Sequence, residues 1–145
     1  MALTNEALFV EITMNKHTKI MTEISAGELL DKISILEIKL NKIKDHVLLN
    51  EVKKEYEILN ETKNKNINFS EKIDILYKNL KGTNEKLWET ENKVRLCEKN
   101  SDFKEKFIQI SRDIYFANDQ RSKIKLEINK ILGSNIKEVK QYTEY

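Results

Sequence analysis

Proline is absent from this chain, glycine occurs three times and cysteine once. Without the two residues that most often punctuate strands and turns, long helices are the expected elements. The single thiol, Cys97, excludes an intrachain disulfide and a cysteine-rich zinc site, and a buried structural thiol is its expected role. His17 and His46 lie far apart, and neither begins a metal-binding spacing. No metal or cofactor is expected. No apolar run approaches the roughly 20 residues that cross a bilayer, and the N-terminus lacks the layout of a signal peptide. A soluble, cytoplasmic protein without a membrane partner is the expectation. An excess of one charge is also missing, because 26 Lys+Arg face 24 Asp+Glu. Nucleic acid is not an expected partner, since that would need basic residues gathered on one face.

What remains is aliphatic and charged: 39% of the 145 residues are hydrophobic and 34% are charged, enough for one domain with a core and a solvated helical surface. Residues 1–24 read as an N-terminal extension in which "LFVEIT" is a short strand or a loop, and residues 25–145 as a single helical-bundle domain. Ser25 with Glu28 fits a capping box, in which each side chain satisfies an orphan N–H of the first turn. From there Leu29, Ile33, Leu36, Leu40, Ile43 and Val47 form a heptad seam. The phase then slips to Leu49, Val52, Tyr56 and Leu59, which predicts a bend or local break between Asp45 and Asn50.

The polar "NETKNKNINFS" holds the first turn, and Ser70 is the expected cap of a second helix whose seam runs Ile73, Leu76, Leu80, Leu87, Val94, with Thr83 and Thr90 between. After a turn at "EKNSD", capped by Asn100 or Ser101, a third seam runs from Phe103 through Ile110, Ala117, Arg121 and Ile124 to Ile131, and Gly133 ends it. The expected fold class is all-α: an antiparallel bundle of three long helices with a short C-terminal tail element, open to self-association.

Polar residues that break this pattern are the functional candidates. Lysine occurs 23 times and arginine only at Arg95, Arg112 and Arg121, so arginine marks places that need its flat, bidentate fork. Arg95 has Glu91 and Glu98 at helical spacing, which permits local pairing. Arg121 sits in a seam with no carboxylate three or four residues away, and a half-buried guanidinium needs a partner from another helix or an anionic ligand. Asp31 and Glu37 likewise lack local counter-charges, whereas Glu28 has Lys32. In a hairpin of two long helices, Glu28 and Asp31 fall level with Glu91 and Arg95, which makes Arg95 the expected partner of Asp31. Beside the second seam runs Asn84, Trp88, Glu91, Arg95 and Glu98, either a solvated flank or the wall of a groove. "FANDQRSKIK" places Asn118, Arg121 and Lys125 on one face, a set suited to a phosphate or carboxylate. Asn84, Trp88, Glu91, Arg95, Asn118, Arg121 and Lys125 are the candidate ligand-binding residues; Glu28, Asp31, Glu37 and Glu98 are the candidate structural polar network.

The pieces "ISAGELLDKISILEIKL", "NEKLWETENKVR", "FIQISRDIYFANDQRSKIKLEIN" and "GSNIKEVKQY" resemble an uncharacterised family of small bacterial and phage proteins, a domain of unknown function. The resemblance spans most of the chain from Ile24 onward. It implies that Gly27, Glu28, Asp31, Lys32, Glu37, Trp88, Glu91, Arg95, Asn118, Asp119, Arg121, Lys125, Glu127 and Asn129 belong to the family pattern, and it names no ligand.

Three functions compete. The first is a non-catalytic module binding an anionic small molecule, such as a nucleotide or nucleotide sugar, or an acidic partner surface. The second is a small helical enzyme acting on an anionic metabolite, although "GELLDK" supplies only one Glu and one Asp where a paired-glutamate metal motif is needed, and no serine, cysteine and histidine set suggests a nucleophile. The third is a structural homodimer whose polar clusters fix helix register.

Overall fold

The computed structural model describes residues 18–145. His17 and the strand or loop expected at "LFVEIT" lie outside the described residues. All regular structure among the described residues is helical: α1 (Ala26–Lys42), α2 (His46–Asn66), α3 (Glu71–Lys99) and α4 (Glu105–Leu132). None of these helices is long and apolar enough to cross a membrane.

The expected three long helices are therefore four. The slip in seam phase does accompany a break, but it falls earlier than expected: residues 43–45 are non-helical, Ile43 taking φ −78°, ψ 131°, while residues 46–50 are already helical. Asp45 then caps a new helix, its Oδ1 accepting from Val47 N at 2.9 Å and Leu48 N at 3.0 Å. An aspartate that satisfies two orphan N–H groups makes the restart locally favourable. Val47, placed in the first seam by its spacing, is instead 74% exposed.

Other boundaries also shift. α2 continues to Asn66, so the connection is shorter than the polar run suggested, and Ser70 caps α3 by accepting from Ile73 N at 3.3 Å. Neither Asn100 nor Ser101 caps α4. Asn100 ends α3, Ser101 takes a left-handed φ of 53°, and Lys104 stands at the start of α4 without a side-chain cap. Gly133 ends α4 at φ 64°, as its position predicted. The tail beyond it forms no regular element and runs back along α4: Glu138 meets Lys125, and Tyr145 packs on Tyr115 and Phe116 while its hydroxyl donates to Asp119.

Because α2 returns the chain, α1 advances in the same direction as α3 and against α4. Leu30 packs among Ile73, Leu76 and Leu80, and Ser34 lies at Asn84, whereas Gly27 meets Asn129 and Asp31 meets Arg121. The core cluster of Leu30, Ile73, Leu76, Leu80, Ile124 and Ile128 sits where these three helices meet. Each such side chain contributes roughly 1.5–3 kcal/mol through burial. Thr83 and Thr90 occupy buried seam positions without cost in unmet hydrogen bonds, because their hydroxyls donate to the carbonyls of Asn79 and Lys86. The backbone of α2 lies against α1, and none of the residues of α2 is fully buried. α3 and α4 extend ~44 Å and ~42 Å, against ~26 Å for α1, so their connected ends reach past it.

Gly27 sets how closely α1 crosses α4. A Cβ there would lie 2.5 Å from the Lys125 carbonyl oxygen. Only glycine fits.

Candidate functional site

The first turn of α1 is satisfied entirely by the chain itself. Ala26 N donates to Ser134 Oγ at 3.0 Å, Gly27 N to Asn129 Oδ1 at 2.6 Å, and Glu28 N to Ser25 Oγ at 3.2 Å. Only half of the expected capping box forms. The Glu28 carboxylate turns away from the cap to Lys125 Nζ, 2.6 Å away.

One turn further on, the helix buries a charge. Asp31 is 1% exposed, and an isolated carboxylate there would be prohibitively costly. Arg121 meets it with its fork: Nε donates to Oδ1 at 2.9 Å and Nη2 donates to Oδ2. Asn84 Nδ2 donates to the same Oδ1 at 2.8 Å and to Ser34 Oγ at 2.8 Å, and Ser34 in turn donates to the Asp31 carbonyl. Lys125 Nζ stands 3.7 Å from Asp31 and also holds Glu138 at 3.0 Å. Hydrogen bonding to Asp31 raises the Arg121 pKa against the effect of burial. Burial alone would lower the Lys125 pKa, but its bonds to Glu28 and Glu138 and the charge of Asp31 outweigh that and raise it. Both cations are locked in the charged form.

Next to this network lies a cavity of about 360 Å³ between α1, α3 and α4, within the size range of small-molecule sites. Ile35, Ile38 and Leu87 give it aliphatic surface, and Trp88 an aromatic wall. Asn84, Asn92, Asn118, Glu91, Arg95 and Arg121 supply the polar lining. Arg95 is held locally, since its Nη1 donates to the Glu91 carbonyl at 2.8 Å and to the Glu91 carboxylate. Arg121 Nη1 reaches only Asn118 Oδ1, at 3.5 Å. Two guanidinium groups thus border one space, each with part of its donor set taken by a carboxylate.

Six of the seven candidate ligand-binding residues border this cavity, namely Asn84, Trp88, Glu91, Arg95, Asn118 and Arg121. Lys125 does not; it is 7% exposed and sits behind Asp31 among three carboxylates. The expected pairing of Asp31 with Arg95 is corrected: Asp31 pairs with Arg121, because the extra reversal at α2 brings α1 parallel to α3. Glu37 finds Lys81 at 2.8 Å, and hydrogen bonding to Glu37 raises the Lys81 pKa. Glu98 is exposed and joins no ion pair among the described residues. Ser34 and Glu138 were missed. Ser34 carried a signal, a small hydroxyl at a position flanked by buried aliphatic residues, whereas nothing local in the tail marks Glu138. Among the described residues, no group of three or more His, Cys, Asp or Glu could hold a metal ion.

Residues 20–144 match the model of a family of unknown function, DUF6165, and the chain belongs to that family. No curated protein and no solved structure matches it.

Proposed function

We propose that this DUF6165 member is a non-catalytic binding module that holds an anionic small molecule in the cavity between α1, α3 and α4. The observation that carries this reading is Arg121: buried Asp31 fixes its plane from behind while leaving Nη1 at the cavity. A guanidinium oriented before the ligand arrives lowers the ordering cost of binding. Trp88 offers a flat apolar face for a ring, and Arg95 at the rim retains donors not taken by Glu91. The resolved shifts of Arg121 and Lys125 both strengthen the charged state, which suits a static electrostatic frame better than proton transfer.

Thermal unfolding with a panel of nucleotides, nucleotide sugars, sugar phosphates and dicarboxylates tests this. A ligand bound only by the folded state stabilises it by about 2.7 kcal/mol at a hundred times its dissociation constant. A flat response across the panel would refute the reading.

A second reading, self-association, is favoured by α2. Val47, Leu48 and Ile58 are each more than half exposed on a helix that has no fully buried residue. Light scattering that returns a monomer at micromolar concentration would remove it.

A further inference from the structure

The cavity has a polarity along α3. At its inner end Asn84 is 4% exposed, while at its outer end the Arg95 side chain is 69% exposed. Trp88 stands between them, one helical turn from Asn84 and two from Arg95. The two ends differ in charge as well. Arg121, at the inner end, is already matched by Asp31 through two donors, so a phosphate pushed against it would also approach the Asp31 carboxylate. Arg95 is paired only with partly exposed Glu91, and a ligand anion there stays near solvent.

The inner end instead reads hydrogen-bonding edges. An ionised carboxylate only accepts, so Asp31 fixes the orientation of the Asn84 amide, with Nδ2 turned towards it. Asn84 Oδ1 is left over, and among the described residues it has no hydrogen-bond partner. Unlike Asn60 Oδ1 and Tyr77 Oη it is not shut off from solvent, so it opens on the cavity and can accept from a ligand donor in place of water. Arg121 shares the same Asp31 oxygen with Asn84 and lines the same cavity, where its Nη1 reaches only Asn118 at 3.5 Å and can still donate to a ligand.

Resting on the binding reading above, we infer that the cavity takes a nucleotide base-first, with an amino-bearing base edge at Asn84 and Arg121 and the phosphate at the Arg95 end. An exocyclic amino group next to a ring nitrogen, as in adenine or cytosine, supplies the donor and acceptor that this pair lacks. Trp88 stacks on the base, a contact available to any π-face, while the Asn84 oxygen selects among bases.

The test compares wild-type binding of AMP, of the purine riboside monophosphate that has hydrogen in place of the amino group, and of ribose phosphate. Titration calorimetry gives the affinities, and emission from Trp88, the single tryptophan, reports stacking. AMP is expected to bind at least about tenfold more tightly than either comparison ligand, with Trp88 emission quenched, because a site built to pair a donor rejects the analogue lacking it. In Asn84→Ala that preference is expected to vanish; should this variant fail to fold, the wild-type comparison decides alone. Equal binding of AMP and its amino-free analogue would overturn the role of Asn84. Ribose phosphate binding as tightly as AMP would overturn the base-first orientation. If the nucleotides all fail while a sugar phosphate or dicarboxylate stabilises the protein, the base inference falls and the anion-binding reading survives.

Discussion

A methyl group at residue 27 tests whether the approach of α1 to α4 is as close as the site requires. A Cβ on Gly27 would meet the Lys125 carbonyl oxygen at 2.5 Å, Asn129 Oδ1 at 2.9 Å and the Lys125 carbonyl carbon at 3.1 Å. The first and last are helix backbone and cannot swing aside as a side chain would, so the two helices must separate. Overpacking of this kind costs about 1–3 kcal/mol. Weakening the 2.6 Å bond from Gly27 N to Asn129 Oδ1 adds about 1 kcal/mol. Alanine's better helix propensity offsets at most about 1 kcal/mol. Gly27→Ala is therefore expected to destabilise the protein by about 1–3 kcal/mol. Gly82 provides the internal control, because it lies within α3 with nothing within 4 Å of an added Cβ. Gly82→Ala should gain about 1 kcal/mol from propensity alone. Urea unfolding followed by far-UV circular dichroism measures both, read as midpoint shifts at constant slope. If Gly27→Ala proves as stable as Gly82→Ala, the close crossing of α1 and α4 is wrong.

Three further outcomes follow from the same contacts. Asp31→Ala leaves half-buried Arg121 without its carboxylate and buried Lys125 with Glu28 and Glu138 alone, and should cost about 3–5 kcal/mol in the same unfolding assay, whereas a loss below about 1 kcal/mol would mean the network is solvated. Leu30→Ala, at the centre of the core cluster, should cost about 2–5 kcal/mol, and a neutral result would show that the three helices do not meet there. The bond to Lys125 holds the Glu138 carboxyl below its usual 4.5, so its contribution is present above that value and is lost as pH falls through the lowered folded-state pKa. The NMR shifts of the tail residues should move towards unstructured values across that acid range, and Glu138→Gln should reproduce the effect at neutral pH; unchanged shifts in both would show that this clasp does not hold the tail.

Residues whose position depends only on local pattern were legible. Ser25, Ser70 and Gly133 stand where capping chemistry places them, because a cap is decided within one turn. The wall from Asn84 through Trp88 and Glu91 to Arg95 was legible for the same reason, since helical spacing alone puts four side chains on one face. Arg121 was singled out by a lack of neighbours, and it does find its counter-charge on another helix. The identity of that partner was not legible. It depends on helix direction, which no spacing within α4 encodes. Lys125 misled because a cation on the right face of a helix looks the same whether it meets solvent or, as here, three carboxylates from α1 and the tail.

The short connection between α1 and α2 decides which charges meet. Treated as one helix, residues 26–66 would run antiparallel to α3 and bring Asp31 level with Arg95. Asp45 capping a second helix adds one reversal, and α1 then lies along α3 in the same direction, with Asp31 facing Asn84 and Arg121. Arg95 is released from Asp31 by that change and turns to its own helical neighbour Glu91 near the surface. The buried end of the cavity thereby becomes electrically matched and rich in directed hydrogen-bonding groups, while the open end keeps an ion pair that solvent screens and a ligand can exchange. A cavity with the opposite pairing, Asp31 on Arg95 and Arg121 unmatched, would carry its free positive charge at the closed end and favour an anion entering first. On the base-first proposal, the order in which this site receives a ring and a charge follows from a helix cap more than thirty residues away in sequence from the arginines and the tryptophan.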